Sequence, residues 1–287
     1  MFVREAYAQG AADLKYAGIK TPGLDASLLL AHVLNTTRTA LVAAGADELS
    51  DEACEDFCNL IVRRCEGECV AYITGKKEFR ELEFEVNPSV LVPRPDTEIL
   101  VEAAIELIRN QPQSTKILDL CTGSGAVAIS LKNEMPELEI HATDICANAL
   151  DVAKKNARRL LPGSDIHFYL GDLYDAIINC SLLSVNCSLI IANPPYIPSQ
   201  EIETLSAEVQ YEPRLALDGG IDGLDVIKRI INGAPDYLKQ GGMLLLEADP
   251  RQMNDIAVLL EKHGFINIQL YKDLSDSQRV IGGRYEK

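Results

Sequence analysis

Ile117-Leu-Asp-Leu-Cys-Thr-Gly-Ser-Gly-Ala126 is an apolar run that ends in two glycines one residue apart. Residues 116–120 read as a strand, and the pattern predicts a helix from the glycines to about Asn133. Glycines at a strand-to-helix junction let the backbone approach a ligand closely, and the amides of the helix N-terminus face it. Further short apolar runs follow at residues 139–143, 166–170, 188–192 and 243–247, with helical patterns between most of them. Strands alternating with helices predict a parallel sheet covered on both faces. The tail differs, because residues 266–271 and 279–283 are two strand-like pieces joined by a short connection, as in a hairpin.

The glycine loop alone is ambiguous. Gly123, Gly125 and Ala128 fit a dinucleotide-binding fingerprint, and Asp144 lies about 20 residues on, at the end of the next strand. A carboxylate there can accept hydrogen bonds from both hydroxyls of an adenosine ribose, which NAD and S-adenosylmethionine share. Asp172 ends the third strand, where it can accept from an adenine amino group or cap the following helix.

Asn193-Pro194-Pro195-Tyr196 discriminates. It follows the strand at 188–192 directly. Two prolines rigidify the turn and commit Asn193 to an extended backbone. The Asn193 side-chain oxygen and the Pro194 carbonyl can together accept both hydrogens of one planar NH2 group, on which Tyr196 can stack. An amide or exocyclic amine nitrogen is a poor nucleophile because its lone pair is delocalised. Two acceptors holding its hydrogens, with a methyl sulfonium in line, favour methyl transfer by orientation and electrostatics. The four histidines are isolated and read as structural or surface residues.

Upstream, residues 1–72 read as helical, with segments at 2–17, 25–34, 37–43 and 50–69 and a cap at Ser50. The acidic run Asp47, Glu48, Asp51, Glu52, Glu55 and Asp56 reads as a solvated face that complements a helix dipole. Cys54, Cys58, Cys65 and Cys69 fall within an arc of about 60° on a single helix. That arc cannot surround a tetrahedral metal ion, so they read as buried small hydrophobes and no metal site is expected. Phe79, Leu82, Phe84 and Val86 alternate as in a short strand. Pro88, Pro93 and Pro95 stiffen the link, and Asp96 or Thr97 is placed to cap a helix to about Asn110. The boundaries are a helical domain at 1–72, a linker at 73–96 and an α/β catalytic domain at 97–287.

The chain has 287 residues and a formal net charge of −16. That acidity argues against a protein whose main work is gripping nucleic acid. No signal core or membrane-spanning run is visible, so a cytoplasmic monomer is expected.

The chain resembles the bacterial release factor glutamine methyltransferases (PrmC/HemK) nearly end to end. The resemblance rests on Tyr72-Ile-Thr-Gly75, Val90-Leu-Val-Pro-Arg-Pro-Asp-Thr-Glu98, residues 117–126, residues 192–197, Tyr211-Glu-Pro-Arg214 and Arg279-Val-Ile-Gly. The segment Pro93-Arg-Pro-Asp-Thr-Glu98 separates this group from the similar ribosomal-protein glutamine methyltransferases. The resemblance implies a small N-terminal helical bundle that contacts the release factor, a β-hairpin linker, and a class I (Rossmann-like) doubly wound methyltransferase domain with a C-terminal antiparallel hairpin. The implied reaction is S-adenosylmethionine-dependent N5-methylation of the glutamine in the Gly-Gly-Gln loop of class 1 release factors. It implies cofactor contacts from Cys121, Thr122, Gly123, Ser124, Gly125, Asp144, Asp172, Leu173 and Asn193. Asn193, Pro194, Pro195 and Tyr196 become the catalytic residues.

Three positions depart from the family pattern. Cys121 replaces a loop glycine and is strained only if that position needs positive φ. Leu173 stands where relatives often carry an aromatic, and Ser188 where an aspartate often precedes the strand. Rival readings are a DNA or RNA adenine methyltransferase, an NAD-dependent oxidoreductase, and a non-catalytic protein that kept the fold.

Overall fold

A computed structural model of the protein describes residues 1–109, 115–178 and 186–286. The helix end expected at about Asn110 lies outside those residues. The chain packs as two units, Met1–Lys76 with Ser206–Tyr211, and Lys77–Leu205 with Glu212–Lys287.

The first unit contains α1 (Val3–Tyr16), α2 (Pro22–Val33), α3 (Arg38–Ala43), α4 (Asp51–Cys65) and α5 (Val70–Thr74). Their apolar faces meet in a core that includes Leu14, Leu29, Leu30, Phe57 and Ile61. Gly10 lets α1 approach α4, because a Cβ there would lie 2.7 Å from the Phe57 ring. Ser50 caps α4, its hydroxyl accepting from the Ala53 N–H at 3.1 Å. The whole acidic run is exposed. The helix predicted to reach residue 69 stops at Cys65, where Gly67 turns the chain at φ +101° and Cys69 begins α5. The four cysteines therefore do not share one helix face. Cys69 is buried, but Cys58 is exposed and Cys54 and Cys65 are half-buried, which corrects the expectation of four buried thiols. Arg64 is only 1 % exposed. Its guanidinium donates to Asp25 at 2.7 Å, to the Glu68 carbonyl at 3.2 Å, and to Glu208 of the Ser206–Tyr211 segment.

The second unit opens with the hairpin β1 (Lys76–Phe79) and β2 (Leu82–Glu85), then α6 (Pro95–Arg109). The single alternating pattern expected at 79–86 is thus a hairpin. Its turn residues Arg80 and Glu81 both have positive φ, as a tight twisted hairpin requires, but neither residue type signals it. Next come β3 (Lys116–Leu120), α7 (Ala126–Glu134), β4 (Glu139–Asp144), α8 (Ala147–Leu160), β5 (Ile166–Leu170), α9 (Asp175–Ile178) and β6 (Cys187–Ala192). The short α10 (Ala207–Gln210) lies in the segment that joins the first unit. The chain closes with α11 (Asp225–Tyr237), β7 (Leu238–Glu247), α12 (Met253–Lys262), β8 (Phe265–Lys272) and β9 (Gln278–Tyr285).

The seven-stranded sheet has the order β5-β4-β3-β6-β7-β9-β8. The first five strands are parallel, and the C-terminal hairpin pairs antiparallel to β7 through β9, leaving β8 at the edge. Every residue of β6 is buried, as expected for a central strand with both faces covered. Ser188 lies inside that strand and is itself buried. This is the class I methyltransferase arrangement of a doubly wound sheet with a terminal hairpin.

Strand order places the site. From β3 the chain runs outward through β4 and β5, then returns to the other side of β3 with β6. Ligands in such sheets bind beyond the carboxyl ends of the strands where the order reverses. Leu120 pairs with Ala192, so residues 121 and 193 leave the sheet side by side. Ala192 pairs in turn with Leu246, which brings Glu247 alongside Asn193.

Candidate active site

A pocket opens at the carboxyl ends of β3, β4 and β6. Cys121, Thr122, Gly123, Ser124, Asp144, Asp172, Leu173, Asn193 and Pro195 all line it. Gly125, Pro194 and Tyr196 are not among the lining residues. Gly125 precedes α7 at φ +82°, where a Cβ would lie 2.9 Å from Ile129 and 3.2 Å from Ala153. Its place in the motif serves the packing of α7 on α8. Cys121 adopts φ +59°, so the position does hold a left-handed backbone. A side chain there costs about 1–2 kcal/mol of strain.

The loop is held by its own carboxylates. Asp144 accepts from the Gly123 N–H at 2.8 Å through Oδ2 and from the Cys146 N–H at 2.9 Å through Oδ1. Burial raises its pKa, opposed by these backbone donors. Asp172 accepts from Arg229 at 2.8 Å, and that arginine also lines the pocket. The site thus gains a cation that motif reading does not find, because Arg229 lies on α11, far along the chain.

Asp119 reads in the sequence only as part of a strand. It is 1 % exposed, lines the pocket and accepts from the Thr122 hydroxyl at 2.6 Å. Burial pushes its carboxyl up to about 7, partly offset by the Thr122 hydrogen bond. No cation pairs with it among the described residues. The available signal is an acid in the middle of an otherwise apolar strand.

At the other wall, Asn193 leaves β6 and its Nδ2 donates to the Thr97 hydroxyl at 3.0 Å. Thr97 is not the helix cap that its residue type suggests. Instead Pro95 begins α6, and Thr97 falls inside its first turn, 4 % exposed. Proline suits the first helical position, where no amide hydrogen is needed. Nearby Glu247 is 1 % exposed, burial pushes its carboxyl up to about 7, and its Oε2 is a buried oxygen with no hydrogen-bond partner. Tyr196 donates to the same carboxylate at 3.4 Å, and burial raises the tyrosine pKa. The loop before α6 is fixed by buried Glu212, which accepts from the Val92 N–H at 3.1 Å and pairs with Arg94. The Val90–Glu98 motif and the Glu212–Pro213 pair therefore meet at the pocket, where Pro93 and Pro213 both form wall.

Residues 5–75 match the PrmC N-terminal domain family, and residues 96–210 match the methyltransferase small domain. The release factor glutamine methyltransferase of Moorella thermoacetica is 38 % identical over 282 residues, covering 98 % of each chain. The enzyme of the same name from Escherichia coli is 37 % identical over 266 residues, covering 93 % of each. Among solved structures, the Thermus thermophilus 16S rRNA methyltransferase RsmC in complex with AdoMet and guanosine aligns with a TM-score of 0.54. It is 19 % identical and covers 74 % of this chain and 50 % of that one, a likeness of fold. No helix among the described residues is long and apolar enough to cross a membrane.

Proposed function

The chain belongs to the release factor glutamine methyltransferases, and from that membership we propose that it transfers a methyl group from S-adenosylmethionine to the side-chain amide N5 of the Gly-Gly-Gln glutamine in class 1 peptide release factors. The observation that carries the reading is the meeting of two features at one pocket. The carboxylate-lined glycine loop after β3 and the Asn193–Tyr196 turn after β6 are brought together by the Leu120–Ala192 pairing.

The residues suit the cofactor chemically. Asp119 is a buried carboxylate with no cationic partner among the described residues, and it complements the α-ammonium of a methionine moiety. Asp144, a carboxylate with about four lone-pair sites, keeps acceptor capacity beyond its backbone amide bonds, as a ribose diol needs. Asp172, neutralised by Arg229, and Leu173 fit the adenine end. When bound, the cofactor supplies an electrophilic methyl group on a sulfonium.

The protein's own part is orientation. The Asn193 Oδ1 and the Pro194 carbonyl accept the two N5 hydrogens, which holds the amide plane and raises the electron density on nitrogen. Desolvation strengthens both bonds. Tyr196, anchored through its hydroxyl to Glu247, keeps the turn in place and packs against the amide. The product nitrogen loses its extra proton after transfer, so no base need act first. We assign release-factor binding to the helical unit, whose exposed acidic run offers complementarity to a basic surface.

The test is mass spectrometry of a recombinant release factor incubated with the purified protein and S-adenosylmethionine. A gain of one methylene mass on the Gly-Gly-Gln peptide is expected. Methyl transfer to DNA or RNA in place of the release factor would overturn the reading.

A further inference from the structure

Pro194 and Pro195 carry no amide hydrogen, so the Asn193–Tyr196 turn cannot be pinned through donors of its own at those two positions. The Pro194 carbonyl must also stay open to the acceptor glutamine. The turn therefore has to be held from beyond the prolines.

Its far end is held by backbone and by one side chain. The Ile197 N–H donates to the Leu217 carbonyl at 3.0 Å, and the Ile197 carbonyl accepts from the Gly219 N–H at 2.9 Å. The Tyr196 carbonyl, directly after the prolines, accepts from Gln252 Nε2 at 2.9 Å. Gln252 stands 56 positions from Tyr196. It comes near because Ala192 pairs with Leu246, so the segments that follow β6 and β7 leave the sheet side by side.

The Gln252 amide has a single orientation. Its Nε2 also donates to the Asp222 carbonyl at 3.2 Å, and its Oε1 accepts from the Asp249 N–H at 3.2 Å. All three partners are backbone groups, whose donor or acceptor character is fixed. Turned over, the amide would set its oxygen against two carbonyls and its NH2 group against an N–H. Gln252 is 7 % exposed, so little water competes. Two glycines make room for the arrangement. A Cβ on Gly223 would lie 2.2 Å from the Tyr196 carbonyl oxygen and 2.4 Å from Gln252 Nε2, and one on Gly219 would lie 2.8 Å from the Pro195 carbonyl oxygen. The Asp218-Gly-Gly and Asp222-Gly-Leu stretches are thus built against the asparagine-proline turn.

We propose that Gln252 is a positioning residue for methyl transfer, acting through the Tyr196 carbonyl to hold the turn so that the Asn193 side chain and the Pro194 carbonyl face the acceptor amide together. This rests on the methyl-transfer reading above. Gln252 does not line the pocket, so its effect reaches the substrate only through the backbone.

The test compares Gln252→Met, which keeps the length and removes both donors, with Gln252→Glu. The glutamate keeps an acceptor for the Asp249 N–H, has no donor when ionised and regains one when protonated. Burial against two carbonyls favours its protonated form. Steady-state methyl transfer, calorimetric S-adenosylmethionine binding, thermal unfolding and the carbon-13 resonance of the Tyr196 carbonyl are measured on each full-length protein between pH 8 and pH 5. Both variants are expected to lower kcat about tenfold at pH 8, the scale of one lost hydrogen bond, with an unchanged cofactor Kd and a displaced Tyr196 carbonyl signal. On acidification, kcat relative to wild type and the carbonyl signal should recover together in Gln252→Glu and stay unrecovered in Gln252→Met. Unchanged kcat in Gln252→Met overturns the proposal. So does a fall in kcat with an undisturbed carbonyl signal, which marks a packing effect, or a carbonyl signal that recovers without kcat. If the wild type methylates no release factor, the functional reading fails on its own. The carbonyl signal still decides whether Gln252 holds the turn: displacement in Gln252→Met supports it, and an unmoved signal overturns it.

Discussion

Replacing Asp119 by asparagine tests the electrostatics at the centre of the site. The wild-type carboxyl is buried and titrates at about 7, against an ordinary value of 3.8. A carboxyl whose pKa is higher in the folded state holds its proton more tightly there than when unfolded. Its stabilising contribution is complete below the unfolded value and is lost as the pH rises through 7. Between pH 5 and pH 8 about two units of the shift are expressed, worth about 3 kcal/mol at roughly 1.4 kcal/mol per unit. Glu247, also pushed up to about 7, loses a similar amount over the same range. Urea unfolding of the cofactor-free protein at the two pH values should therefore show a large loss of stability in the wild type and about half of it in Asp119→Asn. The asparagine brings an amide donor without a partner, a cost of about 1–3 kcal/mol, but that cost is the same at both pH values and leaves the difference untouched. An equal pH-dependent loss in both proteins would refute the reasoning. The same carboxyl makes a second signature: a bound ammonium draws it into the ionised form, so S-adenosylmethionine binding near pH 7 should release a proton, seen as a buffer-dependent heat that vanishes in Asp119→Asn.

Asn193→Ala should keep the cofactor Kd and lose about 10²–10³-fold in kcat, the range for one oriented polar group in an active site; near-normal turnover would remove Asn193 from the mechanism. Arg64→Met strands buried Asp25 and should lower the unfolding free energy by about 3–5 kcal/mol, with part recovered when Asp25→Asn is added; a loss below about 1 kcal/mol would place the pair with ordinary surface ion pairs. Gly125→Ala combines a φ of +82° with a Cβ 2.9 Å from Ile129, and a loss of about 1–3 kcal/mol is expected in denaturant unfolding; a neutral result would show that α7 shifts freely on α8.

Much of this is legible in the chain. The strand at 166–170 has the bounds expected from its apolar run, and β3 and β6 differ by at most one residue. β3 and β6 are short, largely buried strands bounded by turn residues, where local pattern is strongest, and β5 is a half-exposed edge strand whose length the flanking turns set. Helix ends are less legible. Cys65 ends α4 four residues early because Gly67 takes a positive φ, although nothing in the cysteine spacing signals a break. Threonine is a good capping residue, which makes Thr97 look like a cap, but Pro95 has already started the helix. The glycine loop and the Asn193 turn stand out because their chemistry is contiguous. Arg229 and Glu247 do not, because their meaning depends on partners from distant segments: the 57-residue separation of Arg229 and Asp172 leaves no local trace.

The amino-acid sequence by itself determined which pieces exist: apolar runs of strand length, amphipathic helices, a glycine loop, and a rigid asparagine-proline turn. Those follow from backbone sterics and side-chain periodicity over a few residues. Only the tertiary structure decided what faces what. Pairing β3 with β6 in the register Leu120 to Ala192 sets two loops side by side, and pairing β6 with β7 brings a carboxylate behind Asn193. Burial then changes the chemistry of those groups. Asp119 and Glu247 are ordinary acids in an unfolded chain; removed from water, they titrate at about 7, because a carboxylate loses its hydration when the sheet closes over it.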